Sequence, residues 1–272
     1  MRIDAHVHLF TDGKQPFPFR DDMTTERSAY ISPAEELIAY MDREDIDRTV
    51  LIQSAYHGYD NSYLCDCLRR YPDRLHGVAL IDPRRADAAG ELARFYRDHG
   101  VQGMRLYAFL DPDASWLSAD DQHQLWDAAR LMGVPFTWFG HCAQIPMLEP
   151  MLQRYPEVKV IVDHLGEPTI SAGLDGDFQL RLKAARFPNL YVKVTRLKGL
   201  SARCWPYADL HPLIRAALET FGARRMLACT GFPENAQRDA AVGFSLIEEG
   251  LEFLSAEDRR WILGDTADSL YG

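Results

Sequence analysis

Short apolar runs recur along the chain, separated by longer stretches in which apolar residues return every three or four positions. The runs at 2–9, 48–54, 75–81, 101–107, 134–140, 158–164, 189–195 and 225–231 are short, and Val, Ile, Leu and aromatics dominate them, which predicts eight β-strands. The stretches at 33–44, 61–71, 85–99, 119–132, 143–155, 177–186, 207–222, 240–254 and 256–270 predict amphipathic helices. Strands alternating with helices predict a parallel sheet. Eight of them predict closure into a distorted (β/α)8 TIM barrel, an α/β fold, with residues 1–272 forming one domain. An open doubly wound sheet is the alternative fold, but it ordinarily carries a glycine-rich phosphate turn after an early strand, and the sequence has none.

The first strand holds the most informative chemistry. Its alternation sets His6 and His8 on one face and Ile3, Ala5, Val7 and Leu9 on the other, which predicts an apolar face covered by helices. Two imidazoles at that spacing can converge on one cation or serve one catalytic site. In a barrel, reacting groups project from the C-terminal ends of the strands. Strand 2 ends in Ser54, Tyr56 and His57, strand 4 in Arg105 and Tyr107, and strand 5 at His141. Strand 6 ends in Asp163 and His164, strand 7 in Lys193 and Thr195, and strand 8 runs through Gly231 toward Glu234. Five of the nine histidines thus fall on one rim. The irregular segments 10–32 and 165–176 follow strands 1 and 6, so they belong to that rim too, and the first is placed to cap a pocket there. An arginine on an inward-facing strand needs an anion: for Arg105, a substrate carboxylate or one of Asp4, Asp82 and Asp163.

Composition narrows the partners. A formal charge of −10 argues against nucleic acid, which needs a basic surface. No apolar run reaches the length of a membrane span, and the N-terminus reads as a strand rather than a signal peptide. Five cysteines, Cys65, Cys67, Cys142, Cys204 and Cys229, are an odd number without zinc-finger spacing. These features predict a reduced, cytoplasmic protein acting on a small molecule, with no membrane or nucleic-acid partner. The pattern fixes no oligomeric state.

The segments IDAHVHLF, QSAYHGYDNSYL, RLHGVALIDP, GVQGMRLY, VIVDHLGEP, NLYVKVT and WILGDTADSLYG follow one another from residue 3 to 272. In that order they resemble the amidohydrolase-2 group of the amidohydrolase superfamily, and within it the lactonase-like branch of pyrone-dicarboxylate and sugar-lactone hydrolases. The resemblance implies a distorted (β/α)8 barrel and metal ligands at His6, His8 and His164. It implies an anion-binding arginine at Arg105, and pocket residues at Ser54, Tyr56 and His57. Tyr107 and His141 join the candidate substrate contacts from their strand ends.

One departure stands out. The family's strand-8 aspartate, a metal ligand or general base, falls on Gly231 in the run Cys229-Thr230-Gly231-Phe232-Pro233. Glycine has neither a ligand oxygen nor a proton acceptor, so His164, Glu234 and His57 become the candidate catalytic groups, with His141 as a further acceptor. The resemblance then implies one divalent metal, zinc before others, held weakly or not at all. The leading reading is a hydrolase of a small anionic cyclic ester. The alternatives are a metal- or histidine-assisted lyase (decarboxylase or dehydratase) on the same scaffold, and a non-hydrolytic ligand-binding barrel.

Overall fold

Each of the eight apolar runs forms a strand, and the strands pair in parallel in chain order. The computed structural model describes residues 1–12, 14, 16–20, 31–111, 113–233 and 242–272. The strands are β1 (Ile3–Val7), β2 (Arg48–Ile52), β3 (Leu75–Leu80), β4 (Val101–Tyr107), β5 (Phe136–Phe139), β6 (Val160–Val162), β7 (Leu190–Val194) and β8 (Met226–Ala228). Helices α1 (Ala34–Arg43), α2 (Ser62–Arg70), α3 (Ala88–His99), α4 (His123–Met132), α5 (Ile145–Arg154) and α6 (Phe178–Ala184) cross between them. After β7 come a short α7 (Leu197–Leu200) and then α8 (His211–Phe221). The chain ends in α9 (Val242–Ser245), α10 (Ala256–Arg260) and α11 (Thr266–Tyr271). The barrel closes through the main chain: Gly231 N–H donates to His6 O at 3.1 Å, and His8 N–H to Phe232 O at 2.8 Å. The fold is therefore the (β/α)8 barrel, and the open sheet is excluded.

The strands are buried on both sides. Their outer faces and the helices form one large core, whereas Ile3, Ala5, Val50, Ile52, Val78, Ile161, Leu227 and Cys229 fill the lower barrel interior. Tyr271 of α11 closes that interior from below, its hydroxyl 3.4 Å from Thr137 Oγ1. Gly264, just ahead of α11, is needed by close approach: a Cβ there would lie 2.3 Å from the Met1 carbonyl oxygen.

β1 departs from simple alternation. Ile3 and Ala5 face the barrel interior, whereas Val7 and Leu9 join the outer core. The cause is a shift in β1–β2 register between Asp4 and Val7, an irregularity of the kind that re-aims side chains beside active sites. It lets Ala5 fill the lower barrel while His6 and His8 both reach its mouth. No described helix is long and apolar enough to cross a membrane.

Candidate active site

A cavity of about 190 Å³ opens among the C-terminal strand ends. Its wall includes His6, His8, Arg105, Tyr107, Phe139, His164, Thr195, Arg196 and Gly231, together with Phe10, Ser54 and Tyr56. Of the residues singled out from the sequence, His6, His8, His164, Arg105, Tyr107, Ser54 and Tyr56 meet here.

Two others do not meet them. His57 lies beneath the segment after β1, its Nδ1–H donated to the Pro18 carbonyl at 3.0 Å and its ring 5.0 Å from that of Phe19. It is no part of the cavity wall, because its short loop after β2 turns the side chain toward residues 18–19. His141 stands one layer out, stacked on Phe109 at 4.4 Å, and Phe109 in turn stacks on Phe139 at 4.5 Å. Glu234 lies outside the described residues.

The imidazoles cluster tightly. His6 Nε2 and His8 Nε2 are 3.1 Å apart, and the His6 ring centroid is 4.8 Å from that of His8 and 4.9 Å from that of His164. Beneath them lies a charged group of which the sequence suggested only one link, Asp163 among the candidate anions for Arg105. Asp163 Oδ1 is 3.2 Å from His6 Nδ1 and 3.1 Å from Lys193 Nζ, and its Oδ2 accepts from Arg105 Nη2 at 3.1 Å. All four side chains are buried. Of the three candidate carboxylates Asp163 is the one beside Arg105, and it is shared with Lys193; Asp82 pairs with Arg84, and Asp4 accepts from the Thr230 N–H and hydroxyl. The one signal for Lys193 was a lysine inside the apolar run LYVKV.

Burial and charge set the protonation of this group. Burial works to raise the Asp163 pKa, but Lys193, His6 and Arg105 outweigh it and hold the carboxyl well below the usual range. Burial lowers the His6 pKa well below its ordinary value. Burial and then the Arg105 charge take His8 down to about 4. Burial takes His164 to about 3, with Asp163 opposing and Arg105, Arg196 and Lys193 adding to the drop. The three rings are neutral at pH 7.

Neutral rings make the tautomers decisive. His8 Nδ1 donates to the Ile52 carbonyl at 2.8 Å, which leaves a lone pair on its Nε2. If His6 Nε2 donates to that lone pair, His6 Nδ1 accepts from Lys193 Nζ at 3.3 Å, and both rings have a partner at each nitrogen. If instead His6 Nδ1 donates to Asp163, two lone pairs face each other, an arrangement that a cation would join. His164 Nδ1 is buried and has no hydrogen-bond partner among the described residues. Imidazole and carboxylate donors fit a divalent ion, and among the described residues the grouping that brings three ligand atoms within 4.8 Å of one another is His6, Asp163 and His164, with His8 beside His6. In it, the carboxylate is already engaged by two cations.

The turn after β6 aims His164. His164, Leu165, Gly166 and Glu167 have φ of 50°, 56°, 76° and 46°, four consecutive left-handed residues of which three are not glycine. Each such non-glycine residue costs on the order of 1–2 kcal/mol, strain that the surrounding structure must hold in place. Arg196 Nη1 grips the end of this turn, 2.7 Å from Glu167 Oε1, and itself lines the cavity. Thr195 is fully buried in the cavity wall, and its hydroxyl has no hydrogen-bond partner among the described residues. Gly231 has φ of 69°, a left-handed position at the mouth of β8.

Comparison with known proteins agrees with this barrel. The chain is 27% identical over 240 residues to an L-fucono-1,5-lactonase of Burkholderia ambifaria, covering 85% of this chain and 80% of that one. It is 27% identical over 281 residues to a 2-pyrone-4,6-dicarboxylate hydrolase of Comamonas testosteroni, covering 99% and 89%. Among solved structures, one from Pseudomonas putida described as a 2-pyrone-4,6-dicarboxylic acid hydrolase superposes with a TM-score of 0.80 at 26% identity, covering 100% of this chain and 97% of that one. A zinc-bound amidohydrolase of Burkholderia multivorans shares the fold with a TM-score of 0.83 at 19% identity, covering 100% and 99%. The amidohydrolase family profile matches residues 3–272. The chain belongs to the amidohydrolase family.

Proposed function

We propose that the protein hydrolyses a small anionic cyclic ester, a lactone bearing at least one carboxylate, at the mouth of the barrel. The observation that carries this reading is the pairing of neutral imidazoles with cations in one small cavity: His6, His8 and His164 beside Arg105 and Arg196. The names of the relatives, lactonase and pyrone-dicarboxylate hydrolase, support the same chemistry.

The roles follow from the geometry. Arg105, fixed by Asp163 and packed with its guanidinium carbon 4.8 Å from the Phe139 ring centroid, presents charge to a substrate carboxylate, and Arg196 offers a second cation across the cavity. Phe139, Tyr107 and Phe10 give the ring of the substrate flat apolar walls. The buried Thr195 hydroxyl can donate to the oxygen that becomes negative as water adds to the ester carbonyl. The His164 imidazole takes the proton of the attacking water and returns it to the ring oxygen as the C–O bond breaks. An imidazole depressed to about 3 is a poor acceptor in the empty cavity. An anionic substrate offsets Arg105 and Arg196, which are among the causes of that depression, so substrate charge and base strength are coupled. Zinc, our proposed metal, would on His6, His8 and His164 lower the pKa of its bound water and polarise the carbonyl. His164 then serves as a ligand when an ion is present and as the proton acceptor when none is.

The five cysteines are all unpaired, which supports a reducing compartment such as the cytoplasm. The test of function is a panel of carboxylated and neutral γ- and δ-lactones assayed by acid release. Hydrolysis confined to carboxylated members, and lost in His164→Ala, supports the proposal; neutral lactones turned over equally well refute it.

A further inference from the structure

The central cavity, at about 190 Å³, is small beside the ~300–1,000 Å³ typical of ligand pockets. A second hollow of about 390 Å³ lies on the same rim, and Tyr107 lines both. This hollow is floored by the end of β3, which contributes nothing to the wall of the central cavity. It also leaves two large apolar side chains in solvent, Leu110 at 76% exposure and Tyr59 at 50%. Polar groups around it are already engaged: Arg84 Nε donates to Asp82 Oδ1 at 3.0 Å, and Trp116 Nε1–H to Asp111 Oδ2 at 3.0 Å. Arg20 stands at its edge. Among these charged groups the hollow presents three aromatic side chains, Tyr59, Tyr107 and Trp116, together with Leu110.

We propose that this hollow is a second subsite, which receives an uncharged planar arm (an aromatic substituent) of the substrate whose ring sits in the histidine cavity. The proposal rests on the reading of that cavity as a site for an anionic lactone. Tyr107 is the shared wall, its ring centroid 5.4 Å from the Arg105 guanidinium carbon and 5.3 Å from the Phe139 ring centroid. An occupant of the hollow would thus lie against the same tyrosine that flanks Arg105. Burial of Leu110, Tyr59 and Trp116 against an arm supplies binding that a bare ring cannot obtain.

The probes are hydrolysis-resistant γ-lactam carboxylates, one bare and a set bearing a phenyl group at each remaining ring carbon. In wild type, at least one phenyl-bearing member binds about tenfold or more tightly than the bare one, by titration calorimetry. In Trp116→Ala and in Leu110→Asp that ratio falls to within about twofold. Equal affinities in wild type, or a ratio that survives both variants, overturns the proposal. Sedimentation supplies the competing outcome: a wild-type dimer that Leu110→Asp dissolves makes the patch an interface between copies and overturns the subsite. Hydrolysis of the matching lactones is followed separately. Arm-dependent binding with no hydrolysis refutes the lactonase reading and leaves the subsite standing, whereas hydrolysis indifferent to the arm does the reverse.

Discussion

Lys193 Nζ lies 3.1 Å from Asp163 Oδ1, and both side chains are fully buried. Asp163 also answers Arg105, so one carboxylate balances two cations inside the barrel. Removing the carboxylate leaves both uncompensated, whereas removing Lys193 leaves a one-to-one pair. Asp163→Asn should therefore cost about 3–5 kcal/mol of stability, and Lys193→Met in that background should recover part of the loss. Denaturant melts of the two single variants and the double variant check this. A double variant no more stable than Asp163→Asn would mean that Lys193 and Asp163 are not coupled.

Gly231 lies at a left-handed φ in the cavity wall, where the resemblance places an aspartate in relatives. Gly231→Asp should cost on the order of 1 kcal/mol in backbone strain and bring a carboxylate beside the imidazoles. Zinc affinity, measured by chelator competition on the folded variant, should rise at least about tenfold, since the carboxylate both ligates and neutralises charge. An unchanged affinity would place the ion elsewhere than among His6, His8 and His164.

Arg181 is a third buried cation, outside the cavity. None of its three side-chain nitrogens has a hydrogen-bond partner among the described residues, and its guanidinium carbon lies 4.0 Å from the Phe178 ring centroid and 5.7 Å from that of Phe221. Burial lowers its pKa to about 10. An uncompensated buried charge is costly, so Arg181→Met, which keeps an apolar stem on Phe178, should leave stability unchanged or raise it by about 1–4 kcal/mol. Thermal melts measure it. A clear loss would show that the guanidinium has a favourable partner in solution.

The barrel was legible because its strands are buried on both faces and read as apolar runs, and the helices between them keep their period. That His6, His8, Arg105 and His164 share one rim was legible because they sit at the ends of such runs. The chemistry beneath them was not. The Asp163 group joins positions 6, 105, 163 and 193 from four strands, and local pattern does not report which strand-end side chains touch. The register shift in β1 and the left-handed turn from His164 to Glu167 leave no mark in hydrophobic periodicity, yet both aim a histidine. His57 was misplaced for a related reason. It lies in a loop, where no period fixes side-chain direction, and the fold spends it on the Pro18 carbonyl.

The central claim is that water adds to an anionic lactone beside His164. The most direct measurement is turnover of a carboxylated lactone in water enriched in heavy oxygen, with mass spectrometry of the product. Ring opening by water places one heavy oxygen in the new carboxyl group, and Arg105→Met should suppress that product by about a hundredfold or more through loss of the carboxylate anchor. Carbon dioxide release, or a product carrying no solvent oxygen, would contradict hydrolysis and point to the lyase reading instead.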